Sequence, residues 1–224
     1  MITFENHAFR GLDESLKQLF ALQISMATEI EQLARLLPRG LDVADPENFN
    51  HAKSIDKKIN EAELATDKLV ADIINKFTPM GEELRFVLAS VKTAGTLERS
   101  ADKIKNCIKR LAKVNHPLDG AVHTELSRAI TAVRAMLPKA LNQIIDYQDD
   151  IAQQVLKHGA DVQESYKRVL IHLHTQGVAA ASDGTHILLV SKNLEQAADM
   201  AIEIMKIGHY VSFGTKYEKH KIEA

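Results

Sequence analysis

Leu97-Glu98-Arg99-Ser100-Ala101-Asp102 and Leu194-Glu195-Gln196-Ala197-Ala198-Asp199 read as one passage written twice in a chain of 224 residues. Each follows an apolar run, Leu84-Arg85-Phe86-Val87-Leu88 in the first case and Ile187-Leu188-Leu189-Val190 in the second. Shared pattern at matching places marks an internal repeat. The strongest break in the chain, Asn115-His116-Pro117-Leu118-Asp119-Gly120, falls between the two passages near mid-chain. The repeat predicts two similar units in tandem, residues 1–116 and residues 117–224.

Periodicity makes both units helical. Leu16, Leu19, Phe20, Ile24, Ile30, Leu33 and Leu37 recur at helical spacing. They predict a helix from about Asp13 to Leu37, with Pro38 and Gly40 as its stop. After a polar connector from Asp42 to Asn48, the residues Ile55, Ile59, Ala62, Leu69, Ile73 and Phe77 keep the spacing until Thr78-Pro79-Met80-Gly81 interrupts it. A third helix is expected from Glu82 to Val114. The second unit reads as Val122 to about Leu156, Asp161 to about Gln176 and Asp183 to about Val211. No strand-period stretch competes. Helices this long are held by packed amphipathic faces rather than by propensity. The expected fold class is therefore all-α, two tandem three-helix bundles.

Composition narrows the function. Lys plus Arg number 28 against 30 acids, so no global field recruits nucleic acid or an anionic membrane. The single cysteine, Cys107, forms no internal disulfide, which fits a reducing compartment. With no His or Asp at a useful local spacing, it reads as a small buried hydrophobe rather than a nucleophile. The N-terminus lacks the apolar stretch of a signal peptide, and no run approaches the roughly 20 apolar residues of a spanning helix. The expected location is the cytoplasm. There is no Gly-rich phosphate loop, GxSxG, HExxH, CxxC or Glu-x-x-His. His172 and His174 lie close in sequence, but residues two apart do not share a helical face. These absences argue against an ordinary enzyme.

What remains is a pattern of charge. Glu98 with Asp102, and Glu195 with Asp199, are spaced so that both carboxylates of a pair share one face. With 30 acids in the chain that spacing alone carries no information; its recurrence in equivalent contexts does. Leu97, Ala101, Ile104 and Ile108 cluster on one side of the third helix, and Glu98, Asp102 and Asn106 lie about 140° away. The acids therefore point outward or into a shallow groove. Like charges one turn apart cost roughly 0.2–0.5 kcal/mol, and a bridging cation turns that repulsion into ligation, since hard ions prefer carboxylate oxygen. Asp56 and Asn60 on the second helix form a possible opposing wall. One candidate cation site is thus Glu98, Asp102, Asp56 and Asn60, with Asn106 as a neutral oxygen; Glu195, Asp199 and Glu203 make a second, on one helix only. The plain alternative is a solvated charged face. Further along the third helix Lys105, Lys109 and Lys113, with Lys103 and Arg110 nearby, turn the surface basic. Bases there suit the helix dipole; a docking patch for an acidic partner is the other reading.

Thr78-Pro79-Met80, Glu83-Leu84-Arg85 and Leu97-Glu98-Arg99-x-x-Asp102-x-x-x-Asn106 are similar to the first half of PhoU proteins, and Asp56-x-x-Ile59-Asn60-x-x-Glu63 to their second helix. The resemblance to that family spans nearly the whole chain. Lys192-Asn193-Leu194-Glu195-x-x-x-Asp199 resembles the repeated motif, Tyr210-x-x-x-Gly214 the helix end, and Asp149-Asp150-Ile151-Ala152 an acid-x-x-Ala step assigned to the fourth helix. The resemblance implies pseudo-twofold symmetry between the bundles. It implies a cytoplasmic, membrane-peripheral negative regulator of phosphate uptake and phosphate-starvation signalling, with a phosphate ABC transporter and a sensor histidine kinase as partners. It also implies metal on the acidic helix faces: iron or zinc as in some members, with magnesium or manganese as further divalent candidates.

The sequence departs from the pattern in four places. Ala101 and Ala198 replace the usual Gly, Gln196 replaces the motif Arg, Glu203 stands where Asn106 stands in the first half, and Gln163 occupies part of an expected acidic pair before Tyr166. The expected protein acts by binding, as a homodimer, without nucleic acid and without catalysis. A carboxylate-bridged metalloenzyme on a helical bundle and a purely structural interaction module are the alternatives.

Overall fold

A computed structural model describes residues 10–42, 46–176 and 181–218. Every regular element among them is a helix: α1 (Arg10–Asp42), α2 (Pro46–Phe77), α3 (Gly81–Leu111), α4 (Gly120–Asn142), α5 (Asp149–Gln176) and α6 (Ala181–Phe213). Helices α1–α3 pack as one bundle and α4–α6 as a second; the two meet along α3 and α6, the most extensive helix pair, with α1 against α4 beside it.

Most of the periodic apolar residues are the core, but Ile24 is 40% exposed, the inward places beside it being taken by Gln23 and Met26. Leu16, Leu19, Ile30, Leu33 and Leu37 of α1 and Ile55, Ile59 and Ile73 of α2 are buried, as are Leu97, Ala101, Ile104 and Ile108 of α3. Their repeat partners 97 residues on (Leu194, Ala198, Ala201 and Met205) are buried as well. Burying a Leu, Ile or Met side chain contributes about 1.5–3 kcal/mol, so these faces hold the long helices. Cys107 is fully buried, its Sγ 3.5 Å from the Val190 carbonyl across the α3–α6 seam, and burial pushes its thiol pKa up.

Contacts across that seam fix its direction. Arg85 Nε donates to the Val211 carbonyl at 2.8 Å, Arg99 meets Glu203 at 3.4 Å and Cys107 meets Val190. Numbers rise on α3 as they fall on α6, so the helices are antiparallel, as pseudo-twofold symmetry requires. The register brings the buried small residues Ala101 and Ala198 to the crossing, where side-chain size sets how closely the axes approach.

Two expected boundaries move. Helix α1 runs on through Pro38 to Asp42, and α4 ends at Asn142 rather than near Leu156. A second echo explains both: Leu37-Pro38-Arg39-Gly40-Leu41-Asp42 and Leu137-Pro138-Lys139-Ala140-Leu141-Asn142 stand at the C-terminal ends of α1 and α4. A proline in the last turn forfeits one backbone hydrogen bond, and each helix continues to the Asp or Asn four residues later. The expected break between Leu156 and Asp161 lies inside α5. Gly159 is there for packing: a Cβ on it would lie 2.7 Å from Ile202 Cδ1 of α6. The Asp149–Ala152 step consequently opens α5 instead of extending α4. Of the connector read from Asp42 to Asn48, residues 43–45 lie outside the described residues, and Pro46 already opens α2, a place proline favours. The other helix end falls as expected, with Gly214 at φ +72° and its N–H donating to the Tyr210 carbonyl at 2.8 Å.

The segment joining the halves is tied to α6 by one carboxylate. Asp183, its side chain 3% exposed, accepts from the backbone N–H of Asn115 (3.2 Å) and of His116 (3.1 Å), and lies 2.8 Å from His116 Nδ1. These partners, His116 first, hold its carboxyl below the usual carboxylate range. A depressed folded pKa stabilises the fold above the unfolded value of about 3.9 and is lost as pH falls through the folded one. Asp183→Asn is therefore expected to lower Tm at neutral pH, with the gap to wild type closing below about pH 3.9; a gap that stays constant in acid would show the charge is not what holds the segment.

Candidate functional site on the acidic helix faces

The first acidic patch is built by α2 and α3. Its centre is an ammonium group: Lys105 Nζ lies 2.7 Å from Asp56 Oδ1 and 2.6 Å from Asp102 Oδ1. Asp56 and Lys105 are largely buried, at 15% and 20% side-chain exposure, while Asp102 is 46% exposed. Lys105 belongs to this face because it follows Glu98 by seven residues, which is nearly two full turns. Burial lowers its readiness to hold a proton, but the two aspartates outweigh that and raise its pKa. Glu98 sits beside the pair with its pKa raised, first by burial, then by the like charges of Asp102, Glu63 and Asp56, with Lys105 opposing. Glu63 of α2 is also pushed up, by burial and by Asp67. The Lys105 ammonium thus pairs with Asp56 and Asp102, opposes the rise at Glu98, and leaves Glu63 to Arg99.

The structure brings together Asp56, Glu98 and Asp102 as expected, and adds Glu63. Asn60 is exposed and Asn106 half-buried, both outside the two ion pairs. Of the three lysines read as an outward stripe, Lys109 and Lys113 are exposed, whereas Lys105 is drawn between the aspartates. Lys109 Nζ lies 5.9 Å and Lys53 Nζ 4.6 Å from the Phe49 ring of α2.

A raised carboxyl pKa carries a stability sign. Glu98 favours its neutral form in the fold, so its charge costs stability above the folded pKa, and that cost disappears as pH falls below the unfolded value of about 4.3. Glu98→Gln should stabilise the protein at pH 7 by roughly 0.2–0.5 kcal/mol, the scale of one like-charge pair on a helix. Denaturant titration at pH 7 and pH 4 checks it; a destabilised variant at pH 7 would mean that Glu98 makes an attractive contact instead.

The second patch lies mostly along α6. Glu195 pairs with Lys192, one turn before it, and Lys192 Nζ sits 5.2 Å from the Tyr166 ring of α5. The Lys192 pKa is raised chiefly by Glu195. Asp199 is pushed up by burial and by Glu195, with Lys192 and Lys206 opposing. Glu203 turns the other way, to Arg99 across the seam at 3.4 Å. So α5 contributes an aromatic ring where α2 contributes acids.

Each patch carries its own lysine, at non-equivalent places. Shifted by 97, Lys105 matches Ile202 and Lys192 matches Gly95. Lys192 and Arg99 were missed by sequence reading; Lys192 had a local signal, one turn ahead of Glu195. Among the described residues no three His, Cys, Asp or Glu side chains converge closely enough to hold a metal ion. The first patch has donor chemistry suited to a hard cation, but Lys105 fills the place between Asp56 and Asp102. No described helix is long and apolar enough to cross a membrane.

Two pseudo-symmetric three-helix bundles with a charged motif on the third helix of each define an all-α, two-repeat class of protein. The PhoU domain model matches residues 12–111 and 126–208, and the chain belongs to the PhoU family. It is 26% identical to a phosphate-specific transport system accessory protein PhoU homolog of Zymomonas mobilis, over 93% of this chain and 89% of that one. The homolog of the same name from Rhizobium meliloti is 24% identical, over 94% and 90%. Two crystal structures share the fold: PhoU from Pseudomonas aeruginosa, with a TM-score of 0.81 at 21% identity over 91% of this chain and 99% of that one, and the phosphate transport system regulatory protein PhoU from Streptococcus pneumoniae, with 0.80 at 20% over 93% and 100%.

Proposed function

We propose that this chain is a negative regulator of phosphate uptake and phosphate-starvation signalling that acts by binding a phosphate ABC transporter and a sensor histidine kinase. The observation that carries this reading is the match of both halves to the PhoU domain, together with relatives named as accessory proteins of phosphate-specific transport. The exposed lysines Lys109 and Lys113 fit contacts to an acidic partner surface. The protein works in the cytoplasm in this reading, as a homodimer, and reaches the membrane only through its partners. The metalloenzyme alternative is weaker, because Asp56, Asp102 and Glu195 are paired with lysines and, among the described residues, no histidine joins a cluster that could hold a metal ion. Isolation of the tagged chain from membranes of phosphate-replete cells tests the partnership: transporter subunits should co-purify, and their absence from the eluate while the tagged chain is recovered intact would count against it.

Metal on the acidic faces is part of the same proposal. The first patch, with Glu98 and Asp102 on α3 and Asp56 on α2, offers oxygens from two helices, so it is the tighter of the two sites for a divalent ion such as magnesium, manganese, iron or zinc. Any such ion competes with the Lys105 ammonium for Asp56 and Asp102. The second set is the weaker, since Glu195 is held by Lys192 and Glu203 by Arg99.

A further inference from the structure

One groove on the α3–α6 surface is not accounted for by the acidic patches. Leu88 and Val91 of α3, Ile207 and Tyr210 of α6, and Tyr217 from the segment after α6 enclose about 700 Å³. Leu88 is 46% exposed, Val91 39% and Tyr210 37%, so three large apolar side chains stand together in water. Singly such residues are ordinary; gathered in a groove they mark a place where something binds.

The rim is basic. Lys92, Lys206 and Lys216 line the same groove and are exposed. Its one acid, Glu203, is turned to Arg99 at 3.4 Å, and Lys92 and Lys216 form no ion pair among the described residues. Nor is the groove a by-product of the symmetric seam. At the pseudo-equivalent place Leu88 becomes Thr185, Val91 becomes Leu188, Ile207 becomes Arg110 and Tyr210 becomes Lys113. The packing of α3 on α6 needs neither the apolar floor nor the aromatic wall, since the other end of the seam packs without them.

We propose that this groove docks an amphipathic helix of a partner protein, with large aliphatic or aromatic residues on its buried face and Asp or Glu along its flanks. A helix fits because the floor offers one apolar pair three residues apart on each side, Leu88 with Val91 and Ile207 with Tyr210, matching anchors that recur every three to four residues. Acidic flanks fit because two of the rim lysines, Lys92 and Lys216, form no ion pair among the described residues. The inference rests on the proposed reading of the chain as a binding protein, and locates where a partner is held.

The test uses the full chain and a fluorescent synthetic peptide of about 18 residues, five helical turns, with Leu at helical spacing and Glu on the flanks, followed by fluorescence anisotropy. Saturable binding that weakens as salt rises is expected, with a Lys-flanked version of the peptide binding about tenfold or more weakly. Leu88→Asp, and separately Lys92→Glu with Lys216→Glu, should each reduce affinity about tenfold or more while the helical circular dichroism signal stays unchanged. No saturable binding, equal binding of the two peptides, or indifference to Leu88→Asp would overturn the proposal. So would a wild-type dimer that Leu88→Asp turns into a monomer, which makes the groove an interface between copies, or binding to anionic vesicles that Leu88→Asp abolishes, which makes it a membrane face. None of these measurements involves phosphate, so their failure is distinct from failure of the proposed role in phosphate uptake.

Discussion

Gly208→Ala is expected to destabilise the fold by about 1–3 kcal/mol or more, the cost of forcing atoms into a well-packed core. A Cβ at this position would lie 2.4 Å from the Gln143 carbonyl oxygen and 2.5 Å from its carbon. Those are backbone atoms of the α4–α5 connection, which cannot rotate away as a side chain does, so helix α6 or the connection must move. In the first half Leu111, the repeat partner of Gly208, packs instead against Gly40 of α1, whose Cβ would meet Leu111 Cδ1 at 3.3 Å. Gly159→Ala is the control. There the 2.7 Å contact is with the end of the Ile202 side chain, which can shift, and alanine gains up to about 1 kcal/mol of helix propensity. Thermal or denaturant unfolding should rank Gly208→Ala well below Gly159→Ala; equal Tm values would show that the α4–α5 connection yields freely.

The second large effect belongs to Lys105. Lys105→Met leaves Asp56 mostly buried without its counter-charge, next to Asp102, Glu98 and Glu63. The loss should be about 1–3 kcal/mol, between the 0–1 kcal/mol of an exposed pair and the 3–5 kcal/mol of a fully buried one broken on one side. It also frees carboxylate oxygens on two helices. If these acids are a cation site, millimolar magnesium or manganese should restore stability to Lys105→Met, by an amount that grows with ion concentration as linkage requires, and should raise Tm of the wild type less. An ion that stabilises neither protein, with Lys105→Met destabilised as expected, would leave the ammonium as the only cation the patch holds.

The halves of this protein are legible in its sequence because a repeat and a helical period are both local patterns. The two misplaced boundaries came from treating single residues as punctuation. Pro38 looks like a stop, yet it occupies the same last-turn place as Pro138, and only the pair of Leu-Pro motifs shows that the helix goes on. Gly159 looks like a break, but its meaning lies in Ile202, 43 residues away on another helix. The acidic faces were visible for the same local reason, since Glu98 and Asp102 are one turn apart. What fills them was not. Lys105 reaches Asp56 across 49 residues, and only the packing of α2 on α3 says so. Lys192 beside Glu195 is one turn away and was readable. The departures at Gln196 and Glu203 also make sense once the seam is in view. Arg99 meets Glu203 in an ion pair, while the repeat partners of those positions are Gln196 and Asn106, two uncharged amides. Each of these two position pairs is thereby neutral in sum.

The central claim, that this chain restrains phosphate uptake, meets its most direct test in a strain lacking it and grown with plentiful phosphate. Uptake of radiolabelled phosphate and the output of a phosphate-starvation promoter are measured together, with and without the chain restored from a plasmid. The account predicts that both rise in the deletion strain and return when the chain is supplied; uptake and promoter output that stay at wild-type levels would contradict it.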